Sequence, residues 1–348
     1  MTVEEFFDQF LTENVNLHKD CEGECDGSNP ECDICMVTNK YKELVEALRK
    51  ELKVLPTEDE ENKPSYFLTG SYRRHTMIKP PKDVDLFIVL DSGEYQDSEL
   101  DDLIIPETLI TKLKLCLEKI FAGDGDIEIK EQRHSVTVVY DENFSIDVIP
   151  AFETDDDEVY KIPDIETGKS GRYITSNPKI HYEYINKINE ATSVDGKKRF
   201  KRIARLLKFV KRKLFNSEPT KVRSFHFELL AAKIIGEAKI NSYAEGINNF
   251  FAEAGNFFDK ASILDPANKK NMVDDYLDDL DPLAKKSIKN ELADLSQIST
   301  NAIELENSGD DEGAIEEWKK IFSADEDSEK GTETPFVITS PPQPWSIE

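Results

Sequence analysis

Residues 66–90 read YFLTGSYRRHTMIKPPKDVDLFIVL, and the fold is decided here. Tyr66 to Thr69 is a short apolar run and Val84 to Leu90 a longer one closed by Asp91, Ser92 and Gly93. Both predict strands, with a turn at Gly70 and Ser71 between them. Alternate residues of a strand face one side, so Asp83 and Asp85 project together, their Cα atoms about 7 Å apart. Two carboxylates at the head of an otherwise apolar strand are costly unless a cation compensates them. Taken alone, the same pair is as often a solvated strand end.

A third acid, Asp147, sits inside another apolar run, FSIDVIP at 144–150. If that strand lies beside the one bearing Asp83 and Asp85, three carboxylates converge, a set able to hold two divalent ions about 3.5–4 Å apart. Hard oxygen donors and substrate phosphates suit magnesium, with manganese as its substitute. Gly70 lets backbone amides come close to a phosphate, and the Ser71 hydroxyl adds a donor. Arg73 and Arg74, in the segment Tyr72 to Thr76, bring positive charge. A Gly-Ser dipeptide alone is usually only a turn. Gly70-Ser71, eleven residues, Asp83-x-Asp85 and then an isolated strand aspartate form a far more restrictive pattern, which favours a site.

Working outward, residues 2–14 predict a helix with Phe6, Phe7, Phe10 and Leu11 on one stripe, and 38–54 a second with Tyr41, Leu44, Val45, Leu48 and Leu52. Residues 106–121 predict a third helix. Residues 127–130, 135–140 and 144–150 predict strands, the last two a hairpin turning at Asp141, Glu142 and Asn143. From Pro178 the spacing is helical, over 179–191, 196–215, 222–237, 242–256, 270–278 and 282–305. The expected fold is α+β, a lobe with a mixed sheet followed by a helical lobe. The expected segments are 1–55 (helices around a cysteine-rich loop), 56–175 (the sheet lobe), 176–322 (the helical lobe) and 323–348, acidic and then rich in Pro, Ser and Thr, which predicts a flexible tail.

At 38% hydrophobic and 33% charged residues, the composition is that of a globular protein rather than a disordered or membrane one. No apolar run approaches the ~20 residues that span a bilayer. MTVEEFFDQF lacks the basic start and apolar stretch of a secretory signal, so a cytoplasmic protein without membrane association is expected. A net charge of −27 repels polyphosphate over most of the surface and disfavours stable binding of long nucleic acid, while a local basic cleft can still hold mononucleotides. Lys197 to Lys213 holds many Lys and Arg and no acid. It reads either as a phosphate-facing patch or as a solvated helix face.

Cys21, Cys25, Cys32 and Cys35 form CxxxC and CxxC with six residues between them. Four thiolates can close a tetrahedral structural zinc site, and Gly23, Gly27, Ser28, Asn29 and Pro30 permit the turns. A redox-active or simply reduced loop is the alternative. His18 is either a substitute ligand or a surface histidine. Four protein ligands leave no open position, so such a zinc is not catalytic.

These motifs resemble the DNA polymerase β-like nucleotidyltransferases, whose signature is GS, a DxD strand and a third acid on a later strand. Within that superfamily the chain is similar to the bacterial CD-NTases, relatives of the oligoadenylate synthetases and of animal cyclic GMP-AMP synthase. The closer likeness rests on FLTGSYRRHTMIKPPKDVDLFIVL, SIDVIPAF, SNPKIHYEYINKIN, RIARLLKFVKRKL with KVRSFHFELL, and ILDPANKKN, and it covers about residues 40–322.

The resemblance implies an active site in a cleft between the two lobes and synthesis of a cyclic di- or trinucleotide, or a short oligonucleotide, from nucleoside triphosphates such as ATP. It further implies a role in CBASS antiphage signalling beside regulatory proteins of a defence operon. Asp83, Asp85 and Asp147 would bind two magnesium ions, with Asp147 also helping to activate the acceptor hydroxyl. Gly70 and Ser71 would hold the donor triphosphate, Lys208 would reach it, and Ser224 and Phe225 would bind phosphate and stack on a base. Phe225 also fits an ordinary core aromatic. Asp265 sits where the family closes its nucleotide pocket. Two features depart from the family: the cysteine loop, and Glu348 where a small residue is expected at a conjugated tail. Nucleotide addition to RNA 3′ ends, or a catalytically silent nucleotide-binding protein, are the alternatives. The net charge argues against the first and the presence of all three acids against the second.

Overall fold

A computed structural model of the chain describes residues 1–19, 32–54, 65–97, 102–141, 144–165 and 170–323. These divide into two units, one of residues 1–16 with 183–323 and the other of residues 17–182. Helix α1 (Val3–Phe10), continued by a π-helical turn over Leu11–Val15, belongs to the first; α2 (Asp33–Glu51) belongs to the second. The tail expected at 323–348 lies, after Ser323, outside the described residues.

In the 17–182 unit, α2 begins five residues before the expected position. Cys32 caps it, its Sγ accepting the Cys35 amide at 3.4 Å, and the Asp33 carboxylate accepts the His18 amide at 2.7 Å. A thiol is outside the usual oxygen-bearing caps, so the sequence offers no start signal there. Strand β1 (Tyr66–Thr69) runs into α3 (Gly70–Arg74), so the expected Gly-Ser turn is the opening of one helical turn, ended by His75 at φ 59°. Then follow β2 (Asp83–Val89), the two-residue strands β3 (Gln96–Asp97) and β4 (Asp102–Leu103), and α4 (Pro106–Ile120), with proline in its first turn. The remaining strands are β5 (Glu128–Glu131), β6 (Val136–Val139), β7 (Ser145–Glu153), β8 (Tyr160–Asp164) and β9 (Arg172–Ser176). Neither β8 nor β9 was expected. Pro163 inside the first demotes a strand reading, and Arg172 to Ser176 has too little apolar alternation to declare itself.

The main sheet orders these strands β1-β2-β7-β6-β5, with β8 against β7 and β9 against β8. The β2–β7 pair is parallel, reached through the α4 crossover, and the other pairs are antiparallel. Period-two alternation sorts the side chains. Val84, Leu86 and Ile88 of β2, with Ile146 and Val148 of β7, join the core with Leu44 and Leu48 of α2 and Leu109, Leu113 and Leu117 of α4. Phe87, Val89, Ile149 and Ala151 point to the opposite face, against Phe67, Tyr160, Ile162 and Ile174. By the same alternation Asp83, Asp85 and Asp147 belong to this second face, whose apolar cluster begins two residues beyond Asp85 and Asp147.

The other unit is helical. α5 (Lys179–Ala191) carries the chain into it, followed by α6 (Phe200–Leu214), α7 (Ser224–Ile235), α8 (Tyr243–Ala254), α9 (Pro282–Asn307) and α10 (Asp311–Phe322). The aromatic stripe of α1 is buried here: Phe7 meets Trp318 edge-on at 5.1 Å and Phe322 at 5.5 Å, and Phe10 meets Phe209 at 5.1 Å. Helix α10 was not expected, although Ala314, Ile315, Trp318, Ile321 and Phe322 have helical spacing; its acidic surroundings mask the stripe.

The helix expected over 270–278 is instead a looped segment with a single 3₁₀ turn at Asp275–Leu277. Buried Asp274 explains this. Its carboxylate accepts the amides of Ser262 at 2.8 Å and Ile263 at 3.0 Å, and Leu264 bridges Met272, so backbone groups that a helix would need are spent elsewhere.

Candidate active site

Asp85 of β2 and Asp147 of β7 are register partners on neighbouring parallel strands, about 4.8 Å apart by strand spacing. Thr69 on β1 and Thr137 on β6 extend the row to either side. Two residues earlier in the same register, Asp83 pairs with Ser145. The hairpin and the crossover together gather three acids separated by up to 64 residues of chain (Asp83 to Asp147) into adjacent positions on one face.

Each acid has a hydroxyl or backbone neighbour. The Thr137 hydroxyl donates to Asp147 Oδ1, and the Ser145 hydroxyl donates to Asp83 Oδ1 at 3.0 Å. Gly70 lies against Asp85: at φ +64° it occupies the left-handed region, and a Cβ built there would stand 1.6 Å from Asp85 Oδ2. Only glycine meets both conditions.

Asp85 is 7% exposed and Asp147 6% exposed, while Asp83 is open to solvent. Burial, and then the Asp147 carboxylate, push Asp85 well above the usual carboxylate range; the buried Arg74 guanidinium opposes this, and Asp83 adds to it. Burial pushes Asp147 up to about 6 against the opposing Thr137 hydrogen bond. Crowded carboxylates that resist ionisation are a charge deficit which a divalent cation relieves. Among the described residues no three His, Cys, Asp or Glu side chains are gathered as a ready-made metal cage. The backbone register nevertheless sets hard oxygen donors side by side, a donor set that suits a divalent cation.

Of the two arginines after the turn, Arg74 is the one whose charge reaches Asp85; Arg73 lies over the Tyr182 ring at 4.6 Å. The sequence presents Arg74 only as part of the basic run after the turn, and it does not single out Thr137 and Ser145. Their roles follow from sheet neighbours that only pairing reveals.

Lys208, Ser224 and Phe225 belong to the helical unit. Lys208, on α6, is 7% exposed with its Nζ 3.4 Å from Glu228 Oε2 on α7. Ser224 is the exposed first residue of α7. Phe225 is half-buried, and the core position is filled by Phe227, which packs on Phe250 at 5.0 Å. Much of the acid-free basic stretch has acidic partners. Arg199 pairs with Glu4 at 2.7 Å and Arg202 with Asp8 at 3.3 Å, both on α1, and Lys198 pairs with Glu190. Asp265 forms a turn, its carboxylate accepting the Ala267 amide at 2.8 Å. Cys32 and Cys35 are buried at the start of α2, and the Cys32 thiol donates to the His18 carbonyl at 3.5 Å; Cys21 and Cys25 lie outside the described residues.

A mixed sheet that sets three aspartates side by side against a left-handed glycine, followed in sequence by a helical unit, defines a nucleotidyltransferase of the polymerase β-like class. Residues 1–189 match the family described as the Second Messenger Oligonucleotide or Dinucleotide Synthetase domain, and the chain belongs to that family. It is a nucleotidyltransferase of the CD-NTase type, making cyclic oligonucleotide second messengers.

A protein of Bacillus cereus (strain VD146) named "Probable cyclic nucleotide synthase" is 26% identical over 279 residues, 73% of this chain and 79% of that protein. CdnC of E. coli MS115-1, in complex with HORMA-deltaN, is similar with a TM-score of 0.58 at 17% identity, over 92% of this chain and 97% of that one. The Vibrio cholerae di-nucleotide cyclase DncV, as a mutant, gives a TM-score of 0.59 at 12% identity, over 93% of this chain and 81% of that one. At these identities the two structures speak for the fold. No described helix is long and apolar enough to cross a membrane.

Proposed function

We propose that the chain joins nucleoside triphosphates, ATP among them, into a cyclic di- or trinucleotide or a short oligonucleotide by two-metal catalysis, in the cytoplasm, as a signal in bacterial antiphage defence of the CBASS type. The observation that carries the reading is the parallel register of Asp85 and Asp147 with Asp83 two residues away. These three carboxylates would hold two magnesium or manganese ions, which when bound lower the pKa of an attacking hydroxyl and neutralise the pyrophosphate leaving group. Asp147, oriented through Oδ1 by Thr137, would help to deprotonate the acceptor hydroxyl. Gly70 and Ser71 hold the donor triphosphate on its approach to Asp85, with Arg73 and the buried Arg74 supplying charge. Lys208 adds an ammonium to the triphosphate, and Ser224 and Phe225 contact phosphate and base. The chemistry then needs positioning and charge neutralisation, with no covalent intermediate.

The four cysteines are proposed to hold one structural zinc, a reading that rests on their CxxxC and CxxC spacing. The complex of CdnC with HORMA-deltaN supports a regulatory partner for this chain as well.

The test is to incubate the pure protein with all four NTPs and Mg²⁺ or Mn²⁺, identify products by mass spectrometry, and repeat with the Asp83→Asn, Asp85→Asn double variant. A nucleotide product lost in the variant is expected. An equally active variant would overturn the site, and labelled nucleotide entering added tRNA would favour RNA extension. Zinc well below one per chain in metal analysis would refute a filled cysteine site.

A further inference from the structure

The buried pair on α6 and α7 carries an inference beyond the contacts already assigned. Glu228 is 1% exposed and Lys208 7%, and their charged atoms stand 3.4 Å apart. A carboxylate so deeply buried costs several kcal/mol unless it is compensated, and a lysine beside it is held charged and confined. The pair is therefore a restraint on Lys208 as much as a stabilising contact.

Position decides what the restraint is for. Ser224 and Glu228 are four residues apart on α7, so they lie one turn apart on the same helix face, with Cβ atoms about 5–6 Å from each other. Glu228 thus holds the ammonium of Lys208 at 3.4 Å from a position one turn along the helix from Ser224. Neighbouring side chains on α7 fix the helix itself. Phe227 and Leu230 are fully buried, and His226 Nδ1 meets the Tyr276 hydroxyl at 2.8 Å, which in turn accepts the Arg223 amide at 3.3 Å. A helix locked in this way lets Glu228 define where the lysine head sits.

We propose that Glu228 is a positioning residue: it keeps Lys208 charged and directed toward the phosphate-binding face shared with Ser224, so that nucleoside triphosphate binding is prepaid in the free protein. This rests on the reading that Lys208 contacts the triphosphate. The carboxylate itself touches no substrate; its charge is paired with the lysine at 3.4 Å and so does not stand as a bare anion toward a phosphate.

The test is a double-mutant cycle in the full chain with Lys208→Met and Glu228→Gln. Initial rates are measured against the concentration of an equimolar mixture of the four NTPs with Mg²⁺, and thermal melting is followed in parallel. Glu228→Gln is expected to raise the apparent KM on the order of tenfold, the size typical when the partner that orients a binding group is lost, with kcat changed far less. In the Lys208→Met background the same change is expected to add nothing further to KM, because the group it positions is gone. An equal KM penalty in both backgrounds, or a lowered melting temperature with KM unchanged, would overturn the proposal and leave the nucleotide site standing. An unchanged KM in Lys208→Met alone would sink the reading of Lys208, and this inference with it. If Glu228→Gln does not fold, Glu228→Asp, which keeps the charge but retracts it by one methylene, is read by the same criteria.

Discussion

Gly70 and Asp85 stand so close that a single methyl on Gly70 would overlap the Asp85 carboxylate, at 1.6 Å from Oδ2. The turn that begins α3 and the strand that carries the acid are thereby one steric unit. Its glycine is demanded twice, by the left-handed φ of +64° and by the missing space.

Gly70→Ala follows directly. The alanine is expected to cost about 1–3 kcal/mol for its φ alone, and to displace Asp85 enough to lower activity on the order of 100-fold, the scale of a misplacement near 1 Å. Thermal melting together with product formation from NTPs measures both. Near-wild-type activity would mean that the turn and the acid do not share the catalytic geometry.

The crowded acids make the metal-free protein less stable as pH rises from the acid range toward neutrality. Folding raises Asp147 from 3.8 to about 6 and raises Asp85 well above its usual range. A raised carboxylate contributes stability that is present below about 4 and is lost as pH climbs through about 6. In EDTA, Asp147→Asn is therefore expected to melt higher than wild type at pH 8 by more than it does at pH 4, while losing activity. Added Mg²⁺ should stabilise wild type at pH 8 and leave the variant nearly unchanged. A melting difference that does not depend on pH would refute the charge account.

His226 acts in the opposite direction. Burial first, and then the Arg223 charge, lower it from 6.5 to about 3. A depressed base favours the folded state above its unfolded value, and that stability is lost as pH falls from 6.5 toward 3. His226→Asn, which can keep an acceptor for the Tyr276 hydroxyl, is expected to reduce the acid sensitivity by on the order of 3 kcal/mol between pH 6.5 and pH 4. Urea unfolding at both pH values measures it, and parallel slopes for variant and wild type would show that the histidine is protonated without penalty.

Phe7→Ala tests what holds α1. Its ring is fully buried between Trp318 and Phe322, so truncation is expected to cost about 3–5 kcal/mol. Denaturant unfolding, with Trp318 fluorescence as a reporter of that cluster, provides the measurement. A cost under about 1 kcal/mol would mean that α1 is not seated there.

The strands Tyr66–Thr69 and Asp83–Val89, the helix Pro106–Ile120 and the larger helices from Lys179 onward could be read from the chain because each carries its own apolar period. The same holds for the acids. Their order, their spacing and the strand alternation put Asp83 and Asp85 on one face without reference to any other part of the molecule. Where a backbone's hydrogen bonds are supplied from a distance, the period misleads. Asp274 draws 270–278 away from a helix, and the Cys32 thiol starts α2 early.

What the sequence by itself determined is the chemistry available: three carboxylates in strands, a glycine turn, and a lysine among apolar neighbours on a helix. Tertiary structure alone decided which groups face one another. Pairing of β2 with β7 made Asp147 the neighbour of Asp85, brought Thr137 to its flank, and put Arg74 rather than Arg73 beside the acids. Packing of α6 on α7 set Glu228 beside Lys208. The reason is physical: periodicity is local and survives in one dimension, whereas the field at a carboxylate comes from whatever the fold brings within a few ångströms, and that is fixed only when the strands and helices close.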